Sequence, residues 1–552
     1  MTRHGGQILV DQLVLQGVER VFSVPGESFL AALDGLYDAG IANIVCRHEG
    51  AAAMMAEAHG KLTGRPGVLF VTRGPGAANA ASGLHVARQD STPMVAFVGQ
   101  IARGHRDREA FQEVDYRAFM GPLVKWAAEV EDTARLPEYI ARAFHVAMSG
   151  RRGPVVLALP EDMLSAHAEV RDIAPPPAGP SPIAAPQVDA LLAALDGAAR
   201  PLVVAGGPGW SSQASADLAR FAERFDLPVA VSFRRQDYMD NRHPNYVGDL
   251  GVGMNPALAR RLGTADRVIA LGTRLGDIAT AGYSLIDPAA QGRRIVHVHP
   301  DPDELGHVWR ADPGIALPAP QMLTVLAHAR PPGHPSWGAW TRDARADYEA
   351  WGEPRETPGA VKMEQVISWL DNTLPEDAIL TNGAGNYAAF LHRYFRFKRF
   401  GTQLAPTSGS MGYGFPAAIA ASLAHPGRTV VCLAGDGCFQ MTLNEMSTAI
   451  QHGAAPIVIV ANNGRYGTIR MHQERSYPGR VSGTDLANPD FAALARAYGG
   501  HGEVVADGAG FADAFARAAA AGVPAVIELR LDPEALSTGQ TLSETRAAGE
   551  GR

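Results

Sequence analysis

Residues Val430 to Tyr466 read VVCLAGDGCFQMTLNEMSTAIQHGAAPIVIVANNGRY. Thr429 to Leu433 is a β-branched run of the kind that forms a buried parallel strand. Gly435-Asp436-Gly437 breaks it, the apolar residues from Met441 to Ile450 fall at helical spacing, and Pro456 to Val460 is a second β-rich run ending in Ala461-Asn462-Asn463. Strand, glycine turn, helix and strand make one βαβ unit, and such units bind ligands beyond the carboxyl ends of their strands. Both ends carry oxygen donors suited to a hard cation, Asp436 after the first strand and Asn463 after the second. Gly437 lets the backbone approach a diphosphate, and the amides that open the helix turn their positive ends toward it. Alone, Gly-Asp-Gly is an ordinary tight turn; the joint pattern is far more restrictive.

Working outward, the same alternation fills the chain. At 552 residues it is too long for one core. Residues 1–174 alternate helices (Gly6 to Gln16, Phe29 to Tyr37, Gly50 to Lys61) with strands (Arg20 to Val24, Asn43 to Cys46, Gly67 to Thr72, Pro93 to Gly99, Gly153 to Leu159). A stiff linker, Ala174-Pro175-Pro176-Pro177-Ala178-Gly179-Pro180, closes that unit. The rhythm returns over 186–330, with strands at Pro201 to Ala205, Pro228 to Ser232, Asp266 to Leu271 and Arg294 to His299, and a Pro-, Gly- and His-rich stretch from Pro331 to Trp337 ends it. Residues 360–535 repeat it once more, with Ala378 to Thr381 and Ala525 to Leu529 flanking the opening unit. The expected fold is α/β, three doubly wound parallel-sheet domains of one architecture in series. The tail after Asp532 reads as polar and loose.

Composition excludes several classes. A formal net charge of −8 leaves no basic footprint for nucleic acid or anionic membrane. No stretch approaches the roughly 20 apolar residues that span a bilayer, and the N-terminus lacks a signal-peptide core. Three scattered cysteines, Cys46, Cys432 and Cys438, make neither a disulfide framework nor a zinc site, which suits a cytoplasmic protein. Cys438, beside the phosphate turn, reads as a small packing residue rather than a nucleophile, since no base adjoins it.

The opening pattern resembles the thiamine diphosphate (ThDP) motif of the acetolactate synthase and pyruvate decarboxylase superfamily, and the likeness is to acetolactate synthase-like large subunits along nearly the whole chain. It implies pyrimidine-binding, central and diphosphate-binding domains. It further implies Asp436, Asn463 and the carbonyl of Arg465 as Mg²⁺ ligands, with Gly435, Gly437 and Cys438 against the diphosphate. In Arg47-His48-Glu49-Gly50 the resemblance assigns Glu49 to the cofactor N1′, where a carboxyl lets the 4′-amino group act as the base that activates the thiazolium ring. Complementing a helix N-terminus is the plain alternative for Glu49. Pro406-Thr407-Ser408-Gly409-Ser410-Met411-Gly412 matches the segment that bends the cofactor: Met411 as the wedge between its rings, the Gly409 carbonyl as acceptor for the 4′-amino group. Thr72 to Asn79 matches a loop that includes Pro75 and whose Asn79 reaches the pyrimidine, and Thr381 to Tyr387, with Gly385 and Asn386, a turn that helps hold the diphosphate. Ala110-Phe111-Gln112-Glu113 matches the segment whose Phe and Gln line the substrate pocket. His48, His85 and Lys125 read as solvated or structurally satisfied.

The pattern also breaks. The synthases hold a second 2-oxo acid with an Arg and a Trp; here Ile278 and His472 stand at those positions, and Ile cannot pair with a carboxylate. Arg274 or Arg470 is left as the alternative cation. Glu27, in Val24-Pro25-Gly26-Glu27-Ser28, suits either a proton relay or a helix cap. The stretch that relatives use for flavin is altered over Leu275 to Ala279, so FAD is not expected. The resemblance thus implies a ThDP- and Mg²⁺-dependent enzyme that decarboxylates a small 2-oxo acid and transfers the enamine carbanion to an acceptor, an acetolactate-synthase-like carboligation. The alternatives are a non-carboligating decarboxylase, a 2-hydroxyacyl lyase and, further off, a non-catalytic ThDP-binding protein. It implies too a homodimer or dimer of dimers with active sites at the subunit interface.

Overall fold

The computed structural model describes residues 2–176, 183–289, 294–331, 333 and 335–551. Residues 177–180 of the expected linker, and 332 and 334 of the Pro-, Gly- and His-rich stretch, lie outside them.

A two-residue ribbon, β1 (Arg3–His4) with β8 (His167–Ala168), ties the start of the first unit to its end. Between them lie β2 (Arg20–Ser23), β3 (Ala42–Val45), β4 (Gly67–Val71), β5 (Met94–Gln100), β6 (Trp126–Glu129) and β7 (Pro154–Pro160). They form a parallel sheet in the order β3-β2-β4-β5-β7-β6. The second sheet takes β9 (Pro201–Ala205), β10 (Val229–Ser232), β11 (Tyr246–Leu250), β12 (Arg267–Leu271), β13 (Arg294–His299) and β14 (Ala311–Ala316) in the order β11-β10-β9-β12-β13-β14. The third takes β15 (Ile379–Asn382), β16 (Gln403–Leu404), β17 (Val430–Gly435), β18 (Ile457–Asn462), β19 (His501–Val505) and β20 (Ala525–Arg530) in the order β16-β15-β17-β18-β20-β19.

The first and third sheets therefore share one topology, while the central sheet has the strand order of a dinucleotide fold. All three are doubly wound parallel α/β sheets, as expected from the sequence, and they differ only in strand order. In each sheet the chain reverses direction beside the first strand, between β2 and β4, β9 and β12, and β15 and β17. All the glycine turns singled out above, at Pro25–Gly26, Gly74–Gly76, Gly383–Gly385 and Gly435–Gly437, border such a crevice.

The first and third units pack through two small-residue helices, Glu49–Thr63 and Gly414–Ala424, which share one apolar cluster. Within the first unit small residues allow an equally close approach: a Cβ on Gly83 of the helix Pro75–Asp90 would stand 2.4 Å from that of Ala53. A buried charge cluster then joins all three units. Asp90 accepts from Lys61 at 3.0 Å, from Arg235 of the central unit at 3.2 Å and from the Thr407 amide of the third at 3.1 Å. Lys61 also pairs with Glu57, whose carboxylate takes hydrogen bonds from Thr92 and Tyr413, both at 2.5 Å. Arg234 donates to the Pro406 carbonyl. The cations Lys61 and Arg235 hold the Asp90 carboxyl below its usual value although burial pushes it the other way. This cluster fixes the root of the segment Pro406–Gly412.

Two expectations are corrected. The helix expected over Met441 to Ile450 begins only at Met446 and runs to His452; before it come a short helix, Asp436–Gln440, and a 3₁₀ turn, Leu443–Glu445. The Thr442 hydroxyl donates to the Gly412 carbonyl at 2.9 Å, which pulls the chain out of helical register. The tail is not loose. Thr541 and Glu544 form a capping box that starts a helix, Leu542–Glu550, packed on the helix Gly467–Ser476. Arg546 there donates to both oxygens of the buried Glu474, at 2.8 and 2.5 Å, and depresses its carboxyl to about 2.

A group whose folded pKa is depressed stabilises above its unfolded value and loses that contribution as pH falls through the folded one. Arg546→Ala is accordingly expected to cost about 2–3 kcal/mol at neutral pH, since it strands a buried carboxylate. In urea melts the gap to the unchanged protein should be full above about pH 4.5 and close as pH falls toward 2. A gap independent of pH would contradict the pairing.

Candidate active site

At the crevice between β15 and β17 lies a cavity of about 250 Å³. Its floor is the two glycine turns, Ala384-Gly385-Asn386 and Gly435-Asp436-Gly437-Cys438; Asn463, Arg465 and Tyr466 form one wall, Gly409 and Met411 another. The glycines are needed for space. A Cβ at Gly437 would stand 2.5 Å from the Tyr466 ring, and one at Gly435 3.0 Å from that of Tyr387; Gly409 and Gly412 have φ of +67° and +81°.

Asp436 is buried, and its hydrogen-bond donors are the neutral amides of Gly437 (2.9 Å), Gly464 (2.9 Å) and the Asn488 side chain (2.7 Å). Burial pushes its carboxyl up. Oδ1 accepts one hydrogen bond and keeps a free lone pair, so a cation there would relieve the desolvation. The Asn463 amide oxygen and the Arg465 carbonyl add neutral oxygens, a set that suits Mg²⁺. Among the described residues no cluster of three His, Cys, Asp or Glu marks a soft-metal site. Asn462, the other half of the asparagine pair, is committed elsewhere, donating to Glu528 at 2.9 Å and accepting from Asn488 at 2.9 Å. Two buried polar atoms on segments bordering the cavity, the Asn382 amide oxygen and the Ser408 hydroxyl, have no partner, and neither has Arg465 Nε. A cradle of glycines, one uncompensated carboxylate and unmet polar atoms fits a magnesium diphosphate.

Cys438 joins the turns. Its sulfur accepts from the Gly412 amide at 3.1 Å and from the Tyr387 hydroxyl at 3.2 Å. Asn386 is braced by Thr468, whose hydroxyl takes the Asn386 amide hydrogen and donates to its side chain, both at 3.0 Å. Sequence reasoning missed Asn488, Tyr466 and Thr468, and with them Leu531, Ala535 and Leu536, which close the cavity from the tail. The capping-box signature at Thr541–Glu544 was the one signal that the tail is ordered.

Every residue lining this cavity comes from Met363 onward. The other candidates gather at a separate place, around the turn after β4. Asn79 donates to Glu49 Oε2 at 2.9 Å, and a Cβ on Gly76 would stand 3.2 Å from Glu49 Oε1. Pro75 opens the helix Pro75–Asp90, and its N-cap, Gly74, has φ +59° and lies against Gln112, itself at φ +65°. Phe111 beside it is 74% exposed. Glu27 is tied to Arg73 at 2.9 Å, which also holds Glu161 at 3.0 Å, so it caps no helix. His48 caps the helix that Glu49 opens, accepting from Gly50 at 3.0 Å. His85 is exposed, and Lys125 donates to the Val146 and Ser149 carbonyls, both at 2.6 Å, at the end of a helix.

The departures from the resemblance are placed as follows. His472 is exposed on the helix Gly467–Ser476 and lines neither half-site. Arg470 is buried and committed to Thr484 at 2.8 Å and Asp485 at 2.5 Å, which removes it as a cation for substrate. Ile278 and Arg274 line a crevice of about 120 Å³ in the central unit, where Arg274 stands 3.6 Å from Glu304.

Known proteins resemble this chain along most of its length. The chain matches "Thiamine pyrophosphate enzyme, N-terminal TPP binding domain" over residues 3–119, the central domain over 188–326 and the C-terminal TPP binding domain over 383–529. The acetolactate synthase large subunit of Parasynechococcus marenigrum is 33% identical over 92% of this chain and 84% of its own. The acetolactate synthase isozyme 2 large subunit of Escherichia coli is 31% identical over 91% and 90%. The thiamine diphosphate-dependent 4-hydroxybenzoylformate decarboxylase of Rhodococcus jostii superposes with a TM-score of 0.83 at 26% identity, covering 96% of this chain and 99% of that one.

Proposed function

We propose what this protein does from one premise: the chain belongs to the thiamine pyrophosphate enzymes, with acetolactate synthase large subunits among its relatives. It is a ThDP-dependent enzyme. Our reading is that it is also Mg²⁺-dependent, decarboxylates a 2-oxo acid and joins the remaining carbon unit to an acceptor. The observation that carries it is Asp436, a buried carboxylate bonded only to neutral amides in a glycine cradle.

Asp436, Asn463 and the Arg465 carbonyl would hold the cation, and Gly385, Asn386, Gly435 and Gly437 the diphosphate. When bound, ThDP supplies the electron sink for loss of carbon dioxide. Met411 orients its rings from the wall of the cavity, and Glu49, oriented by Asn79, holds a proton at the pyrimidine N1′. Gln112 and Phe111 border the place where substrate enters. Because the Glu49 cluster and the Asp436 cavity are separate in one chain, the complete site forms between two copies, a homodimer or a dimer of dimers.

The second reading, decarboxylation with no coupled product, is favoured by the acceptor side: Ile278 cannot pair with a carboxylate and Arg470 is already paired. A screen of 2-oxo acids, singly and in pairs or with aldehydes, with carbon dioxide and products measured by mass, tests both. Equal carbon dioxide release with no coupled product in any pairing would overturn carboligation. No release from any 2-oxo acid would overturn both readings.

A further inference from the structure

At the opposite rim of the first sheet, on the amino ends of β2 and β4, lies a partly open pocket of about 290 Å³. β4 has five residues, which puts this rim about 16 Å from the Thr72–Gly76 turn. Gln16, Gly17, Arg20, His59, Arg65 and Phe144 are among its walls. Three of its polar atoms, Gln16 Nε2, Arg20 Nε and His59 Nδ1, are buried with no hydrogen-bond partner. Buried donors are as a rule satisfied in folded proteins, and these three sit on side chains that line one pocket, where an acceptor would meet them.

Their chemistry selects it. Arg20 is anchored by its other arm, Nη2 donating to the Leu423 carbonyl at 3.0 Å, so Nε–H is held in place. Arg65 adds a second guanidinium at the rim, since a Cβ on Gly17 would stand 3.6 Å from its Nη1. Burial, with Arg20 and His425 nearby, holds His59 down at about 4, so at neutral pH the ring is uncharged and in one tautomer donates from Nδ1. Glu19 is the acid that faces this group. Donors therefore outnumber acceptors, and two guanidiniums stand against one carboxylate.

We propose that this space is a binding site for a small oxyanion, a phosphate or a short-chain carboxylate, held by Arg20, Gln16 and His59. It is independent of the ThDP reading. The ligand would touch the first unit alone, and Arg20 links it to the third, being bonded to the end of the helix Gly414–Ala424, whose other end follows Met411.

Calorimetric titration of the full chain, with ThDP and Mg²⁺ present so that the diphosphate turn is occupied, tests it. Inorganic phosphate and sodium isobutyrate are the two probes, each in chloride buffer, and they distinguish the two sources of the oxyanion. At least one is expected to bind saturably, with Gln16→Met weakening it about threefold to tenfold and Arg20→Met more than about tenfold. Gln16→Met decides the matter if Arg20→Met fails to fold. The proposal is overturned if neither probe binds saturably, which would mean the space holds only water, or if Gln16→Met binds as the unchanged protein does.

Discussion

Replacing Glu49 with Gln is expected to lower turnover by about 10²–10⁴-fold while ThDP still binds, the range for loss of a positioned proton-transfer group. The amide keeps the shape, and its oxygen can still accept from Asn79, which donates to Glu49 at 2.9 Å. What is lost is a proton held at N1′. Titration of ThDP into the variant, alongside steady-state rates on the best 2-oxo acid, separates the two. Unchanged turnover would refute the role; lost binding with lost turnover would make Glu49 a structural residue.

The second large effect runs the other way. Asp436→Ala should weaken ThDP binding in the presence of Mg²⁺ by at least about 100-fold, because it removes the charged ligand from a set whose other members are neutral. Asp436→Asn is the control for shape: it keeps an acceptor for the Gly464 amide and removes only the charge, so both variants should fail alike. Retention of tight, magnesium-dependent binding by Asp436→Asn would refute the assignment. The two lesions also test how the site is assembled. Mixed and reassociated, Glu49→Gln and Asp436→Ala chains should recover about a quarter of the unchanged protein's activity, since half the dimers are mixed and each has one intact site of two. No recovery despite exchange of subunits would place both residues in a site made within one chain.

How far the sequence alone reached follows from where water touches each strand. Strands in the middle of the sheets announce themselves as apolar runs: β5, β7 and β9 are buried at every residue. Within the three six-stranded sheets, the five strands that the apolar runs did not reveal, β6, β11, β14, β16 and β19, all lie at sheet edges. β19 has one buried residue of five and β14 one of six, and β16 is only two residues long. β14 and β19, largely solvated, lack the apolar signature, while β11, though buried at four of five residues, has its run broken by Gly248-Asp249. The site divides similarly. Turns such as Gly435-Asp436-Gly437 are legible because glycine, carboxylate and strand end occur together within a few residues. Asn488, which bonds Asp436, and Leu536, which lines the cavity, are not, since each arrives from a distant loop with nothing local to mark it.

The charge cluster around Asp90 bears on anyone who would build a chimaera from this protein and its relatives. Grafting a foreign central unit removes Arg235 and leaves Asp90 and Glu57 with Lys61 alone as counter-charge; excising the third unit exposes Asp90 and Glu57 where Thr407 and Tyr413 had covered them. The seams between units are thus poor places to cut. A recombinant that behaves must transplant Glu57, Lys61, Asp90, Arg235 and the Ala405–Tyr413 segment together, as if they were one module scattered across the gene.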